Sequence, residues 1–342
     1  MRAAVVGVEY FLPKRKLTNA ELSAEFPQWS VDKIEQKTGI SERCIAGPAE
    51  CSSDLAVAAA SKLFATGICD PADIDYVLLC TQSPDYFLPT TACIVQERLG
   101  LRTTCGAMDF NLGCSGFVYG LGLAKGLIET AQAGNILLLT AETYSKFIHP
   151  GDKSARTIFG DAAAATLVRG VEVGGPSQEE CIGPFVYGTD GAGANNLIVP
   201  TGGMRQPLPL GTAHAEPDTQ GNLRTPNNLY MDGAEIFTFT LSAVPKSVHA
   251  LLERSRKRIE DIDLFVFHQA NQYMLDHLRK KLKLPPDKFY IAMRHCGNTV
   301  SSTIPIALKH ALNEGKLRPG HVVMVVGFGV GYSWGATLIR WI

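Results

Sequence analysis

Short apolar runs alternate along this chain with amphipathic stretches of helical length, a pattern that a layered α/β fold accommodates: the runs become buried strands and the longer stretches cover them. Ala3–Val8, Tyr76–Cys80, Ala107–Phe110, Ile136–Thr140 and Ala163–Val168 form a first set of candidate strands. Phe185–Tyr187, Leu264–Phe267, Phe289–Ile291, Val322–Gly327 and Ala336–Arg340 form a second. The sets share local sequence. Asp73-Ile74-Asp75-Tyr76-Val77 is echoed by Asp261-Ile262-Asp263-Leu264-Phe265, and Ala165-Thr166-Leu167-Val168-Arg169 by Ala336-Thr337-Leu338-Ile339-Arg340. A weak internal duplication follows, with halves at residues 1–172 and 173–342 and a linker over Val171–Pro184. Pro200–Asn228, rich in Gly, Pro, Thr and Asn, is expected to be a surface excursion without strand or helix.

The 342 residues are enough for two domains or one large one, and 46% hydrophobic against 19% charged residues mark a chain that folds. With 32 Lys plus Arg and 33 Asp plus Glu there is no cationic excess for a phosphate backbone, so nucleic acid is not an expected partner. The longest apolar runs fall short of a membrane span. The N-terminal apolar run is interrupted by Glu9 and reads as a buried first strand, not a signal peptide, so a cytoplasmic protein without membrane insertion is expected. Nine scattered cysteines without a CxxC pair argue against a disulfide framework and a zinc site.

Three segments carry reactive side chains. Asn111-Leu112-Gly113-Cys114-Ser115-Gly116-Phe117 lies between a strand and a helical pattern. A thiol there meets the N–H groups and dipole of a helix start, which favour the thiolate. A buried cysteine in a tight turn would look the same. Phe267-His268-Gln269-Ala270-Asn271 ends a strand of the second half, where α/β proteins open their ligand crevices. Arg294-His295-Cys296-Gly297-Asn298-Thr299 stands in the second half where the Cys114 turn stands in the first. Asn298 suits a helix cap or an oxyanion donor. A fourth segment, Gly327-Phe328-Gly329-Val330-Gly331-Tyr332-Ser333-Trp334-Gly335, exposes backbone amides to a ligand or makes a plain hairpin; its spacing gives no support to a dinucleotide site.

In this order, and with Lys37-Thr38-Gly39-Ile40-Ser41-Glu42-Arg43 and Phe159-Gly160-Asp161-Ala162-Ala163-Ala164 added, the chain resembles the β-ketoacyl-acyl-carrier-protein synthase III family of thiolase-fold condensing enzymes over nearly its whole length. The resemblance implies a five-layered αβαβα fold of two duplicated halves, a homodimer, and a catalytic Cys114, His268 and Asn298. It implies no metal and no cofactor beyond coenzyme A thioester and phosphopantetheine-linked substrates. In that chemistry an acyl-coenzyme A primer acylates Cys114. Malonyl-acyl carrier protein then loses carbon dioxide while His268 and Asn298 hold its thioester oxygen, and the carbanion attacks the acyl-cysteine to give 3-oxoacyl-acyl carrier protein for fatty acid biosynthesis. Backbone N–H groups of Cys114 and Val330 form the oxyanion hole. Lys33, Lys37, Leu88, Lys153 and Asn271 are the implied substrate-binding positions.

The chain departs from the family pattern at three of these. Lys33 and Lys153 replace the Trp and Arg that sandwich the adenine of coenzyme A, and Leu88 replaces the Phe that crosses the dimer interface to close the partner's acyl pocket. Among alternatives, a thiolase would need a second cysteine in Gly327–Gly335, which has none. A chalcone-synthase-like enzyme typically has a longer chain. A specialised condensing enzyme or acyltransferase of secondary metabolism shares the triad, and an idle heterodimer partner would not need to keep it.

Overall fold

Alanine, valine and leucine fill the strands because these strands are covered on both faces, as in Ala162–Val168, where every side chain is buried. The computed structural model describes residues 1–172, 180–208 and 214–342, so the proposed boundary at 172/173 and much of the Val171–Pro184 linker lie outside the described residues. A first sheet has the order Arg2–Phe11, Ala162–Val171, Asn135–Glu142, Tyr76–Cys80, Gly106–Phe110. Ala162–Val171 runs antiparallel to both of its neighbours, and the last two strands run parallel to Asn135–Glu142.

A second sheet repeats that plan with Ile182–Thr189, Ser333–Arg340, Val322–Gly329 and Leu264–Phe267, antiparallel twice and then parallel. The fifth place corrects the sequence expectation: Phe289–Ile291 is no strand, and only a single parallel bridge joins Phe289 to Phe265. Pro285 and Pro286 just ahead spend this segment on a turn of 3-10 helix, leaving too little extended chain for a ladder. The excursion Pro200–Asn228 also differs. Glu216–Pro217 pairs with Leu223–Arg224 across a turn in which the Asp218 carboxylate accepts from the backbone N–H groups of Gln220 and Asn222.

Five layers result. Ser52–Ala65 covers the outer face of the first sheet, packing Leu55, Ala59 and Leu63 on Val77, Leu79 and Leu137. Gly116–Glu129 and Thr303–Asn313 lie between the sheets, where Phe117, Leu121, Ile304 and Leu308 share one core with Leu138 and Val325. Gly233–Ser255 and Gln272–Lys281 close the far side, packing Val248, Leu251 and Leu278 on Phe265 and Met324. Both central helices therefore run between the two sheets and pack on each of them. No described helix is long and apolar enough to cross a membrane.

The halves are also zipped by backbone. Gly160 N–H donates to the Asn298 carbonyl at 3.0 Å, and Asn298 N–H donates to that of Ile158 at 2.9 Å. A Cβ on Gly160 would lie 2.2 Å from the Cys296 carbonyl oxygen, a backbone atom that no rotamer change can move aside. Gly160→Ala is therefore expected to cost about 1–3 kcal/mol. Gly126→Ala, on an exposed helical position with nothing within 4 Å, is expected to add about 0.5–1 kcal/mol. Thermal unfolding of the two variants measures both, and opposite signs are the expected outcome.

Candidate active site

Where the strand Gly106–Phe110 ends, residues 111–115 turn the chain into the Gly116–Glu129 helix with Cys114 at the last corner. The turn is held from beneath, where Cys80 Sγ lies 2.8 Å from the Leu112 carbonyl and Gly116 N–H donates to Gly113. From above it meets the hairpin between Val322–Gly329 and Ser333–Arg340. Ser115 and Ser333 share a hydroxyl hydrogen bond of 2.6 Å, and Ser333 also donates to the Val330 carbonyl. The hairpin backbone comes so near that a Cβ at Gly329 would stand 2.9 Å from Cys114 Sγ. The glycines of this segment are thus spent on a hairpin whose amide edge lies against the thiol. Backbone N–H groups of Cys114 and Val330 both reach the sulfur.

His268 follows the strand Leu264–Phe267, its own N–H bonded to the Val326 carbonyl. The ring stands edge-on to Phe328, 5.4 Å between centroids, with Nδ1 2.7 Å from Thr303 Oγ1. Asn298 is fixed by its backbone bonds to residues 158 and 160. Its Oδ1 accepts from Val300 N–H at 2.9 Å, and Nδ2 reaches the Ala270 carbonyl only at 3.4 Å, leaving amide hydrogen for a ligand. Val300 has φ +54°. A β-branched residue in the left-handed region is strained, and the surroundings that hold it there are those of the site. Cys114, His268, Asn298, Asn271 and Gly329 line one cavity of about 100 Å³. Tyr144 and Leu197 separate it from a second of about 700 Å³ lined by Gln82, Asn111, Phe87 and Val330.

Burial governs the charges. It pushes the Cys114 thiol up to about 12, with the Glu142 carboxylate adding to the rise and the N–H groups of Cys114 and Val330 opposing it. The expectation that the helix start favours a thiolate is therefore corrected for the resting enzyme: desolvation outweighs it. Burial holds His268 down to about 3, so the imidazole is neutral. Glu142, which the sequence reasoning missed, is fully buried and raised to about 8 by burial although Gln82 N–H, Ser83 and Ser301 donate to it. A charged residue closing an otherwise apolar strand was the signal that would have found it.

The remaining expected positions divide. Asn271 lines the cavity and caps the Gln272–Lys281 helix through Met274 N–H. Lys33 and Lys37 project from the exposed face of Val31–Thr38 with their ammonium groups 5.4 and 5.0 Å from the Trp29 ring. An aromatic face is thus present four residues before the position where the family resemblance places one, and a cation–π signature of Trp followed by Lys at i+4 and i+8 was the missed clue. Lys153 is not free. It is 9% exposed and donates to the Gln220 carbonyl, stapling the Glu216–Arg224 hairpin. Leu88 is 86% exposed beside Tyr86 and Phe87 and lines neither cavity. Among the described residues no cluster of three or more His, Cys, Asp or Glu is placed to hold a metal ion.

Comparison with known proteins gives consistent matches. The family described as 3-oxoacyl-[acyl-carrier-protein (ACP)] synthase III matches residues 108–194, and its C-terminal counterpart matches 252–341. A beta-ketoacyl-[acyl-carrier-protein] synthase III of Caldanaerobacter subterraneus subsp. tengcongensis is 37% identical over 99% of this chain and 98% of its own. One from Clostridium perfringens is 38% identical over 99% of both. A 2.1 Å crystal structure of a 3-oxoacyl-(acyl-carrier-protein) synthase III superposes with a TM-score of 0.97 at 53% identity, covering 100% of both chains.

Glu142 supplies a pH test. Its folded-state pKa is raised, so the stability it confers is full below the ordinary carboxylate range and is lost as pH rises through about 8. Above that pH its charge also opposes ionisation of Cys114. Glu142→Gln is expected to flatten the fall of melting temperature toward alkaline pH and to move the iodoacetamide alkylation profile of Cys114 down by about one pH unit. An unmoved profile would separate Glu142 from the thiol.

Proposed function

The chain belongs to the 3-oxoacyl-[acyl-carrier-protein] synthase III family, and on that premise we propose that it works as a cytosolic homodimer in fatty acid biosynthesis, joining an acyl-coenzyme A primer to malonyl-acyl carrier protein through an acyl-Cys114 intermediate. The observation that carries this is the meeting of Cys114, His268 and Asn298 in one cavity, with two backbone N–H groups on the sulfur. In the first half-reaction Cys114 Sγ forms a bond to the thioester carbon and the coenzyme A sulfur leaves. The proton balance closes between the sulfurs, since the Cys114 thiol gives one up and the departing thiolate takes one. The tetrahedral oxyanion is received by the N–H groups of Cys114 and Val330.

In the second half-reaction the malonyl carboxylate departs as carbon dioxide and its electron pair passes toward the thioester oxygen. Asn298 Nδ2–H and a His268 N–H donate to that oxygen. A ring held down to about 3 does not take up a proton and so remains a neutral donor. The carbanion then attacks the acyl-Cys114 carbonyl, and the cysteine sulfur leaves as a thiolate that takes up a proton from water, the one proton the decarboxylation consumes overall. Exposed Tyr86, Phe87 and Leu88 offer an apolar surface for the second copy. A polyketide-type role with the same triad is not favoured by the relatives reported above.

The nucleotide of coenzyme A is assigned to Trp29, Lys33 and Lys37. Their helix leans on Gln272–Lys281, whose first turn lines the cavity: a Cβ on Gly39 would stand 2.5 Å from Gln272 Cβ.

His268→Ala and Asn298→Ala are each expected to lower malonyl decarboxylation by about 10²–10³ while acyl-coenzyme A still adds one acyl mass to Cys114, read by intact-protein mass spectrometry and peptide mapping. Acylation lost with decarboxylation intact would make His268 the base of the thiol instead. For the primer, Lys33→Ala with Lys37→Ala is expected to raise the acyl-coenzyme A KM at low salt by about 3–10-fold, with the difference shrinking at high salt because exposed charges are screened. Acyl-pantetheine, which lacks the nucleotide, should not distinguish the variant. Equal salt slopes in both proteins would remove the lysines from the site.

A further inference from the structure

Decarboxylation asks for something that a neutral histidine supplies from only one of its two tautomers. The nitrogen facing the substrate must carry the proton, so the other must be an acceptor. In His268 the buried nitrogen is Nδ1, and the group within hydrogen-bond distance of it is the Thr303 hydroxyl at 2.7 Å. That hydroxyl has one proton and two acceptors in reach, Nδ1 and the Val300 carbonyl at 3.0 Å. Nδ1 is the nearer of the two acceptors, so a ring that presents its lone pair there takes the hydroxyl proton in preference to the carbonyl. Val300 is the competitor. Its carbonyl also reaches the ring as an acceptor, and the left-handed backbone at this residue, with its N–H turned to Asn298 Oδ1, holds it in place. Were the hydroxyl absent, this carbonyl would be the remaining partner for Nδ1 and would draw the proton there, emptying Nε2.

We propose that Thr303 is a positioning residue that selects the Nε2–H tautomer of His268 by donating its hydroxyl proton to Nδ1, against the pull of the Val300 carbonyl. This rests on His268 acting as a donor in decarboxylation. Thr303 begins the central Thr303–Asn313 helix behind the ring and does not line the cavity that Cys114, His268 and Asn298 share, so it acts through the ring.

Thr303→Val keeps the branched shape and removes the donor, whereas Thr303→Ser keeps the donor and trims a methyl. The valine variant is expected to lose about 10²-fold in malonyl decarboxylation while Cys114 acylation stays within about 3-fold, and the serine variant to recover most of the loss. Nitrogen-15 shifts of His268, assigned by their disappearance in His268→Ala, are expected to show Nε2 protonated in the unsubstituted enzyme and Nδ1 protonated in Thr303→Val. The proposal is overturned if the unsubstituted enzyme shows Nδ1 protonated, a measurement that needs no variant of Thr303 to fold. It is also overturned if Thr303→Val decarboxylates normally, or if both half-reactions fall together and serine restores neither. Failure of the donor role is seen separately, as decarboxylation that survives His268→Ala.

Discussion

The approach of the Val322–Gly329 strand end to the Cys114 turn is the contact on which the rest of the site depends. Without a side chain at Gly329 the hairpin backbone comes against the sulfur, bringing the Val330 N–H with it. The Ser115–Ser333 hydrogen bond fixes that distance. Because the turn belongs to the first sheet and the hairpin to the second, the Cys114 thiol is sealed only where the two halves meet. His268 and Asn298 come to the same seam by different routes: His268 follows the strand Leu264–Phe267, and Asn298 is tied to the first half by its backbone bonds to residues 158 and 160.

Sealing the seam has an electrostatic consequence. Removing water raises the cost of every charge, and burial shifts Cys114, Glu142 and His268 each toward its neutral form, the first two up and the histidine down. The resting pocket therefore holds little charge but several oriented N–H dipoles. Such a pocket favours charge that appears during reaction over charge already present, since the dipoles are in place before it forms.

Much of this was legible in the sequence, and the parts that were not share a cause. Cys114, His268 and Asn298 announce themselves because each follows an apolar run and sits among small or polar residues. The duplication was readable from the strand pentamers, and the two sheets repeat one order and one pattern of directions. What escaped depends on what surrounds a residue, near in the chain for one segment and distant for the rest. Phe289–Ile291 has strand composition, but the prolines before it decide how much extended chain is left. Glu142 looks like a strand end until Ser83 and Ser301 close around it. Lys153 looks like a free cation until Gln220 occupies it. Thr303 looks like one more polar residue at a helix start, and only the ring 35 positions earlier gives its hydroxyl a task.

The place of Ser333–Arg340 in the second sheet carries a consequence for how the protein is made. It is an inner strand, pairing with Val322–Gly329 on one side and with Ile182–Thr189 on the other, yet it leaves the ribosome after every other described strand. Ile182–Thr189 must therefore wait, without its sheet neighbour, while more than a hundred further residues are translated, and the first half must present an uncovered Cys114 turn for as long. The nascent chain thus carries an accessible thiol and an unpaired strand edge until the last of the described strands emerges, the interval in which chaperone protection matters most.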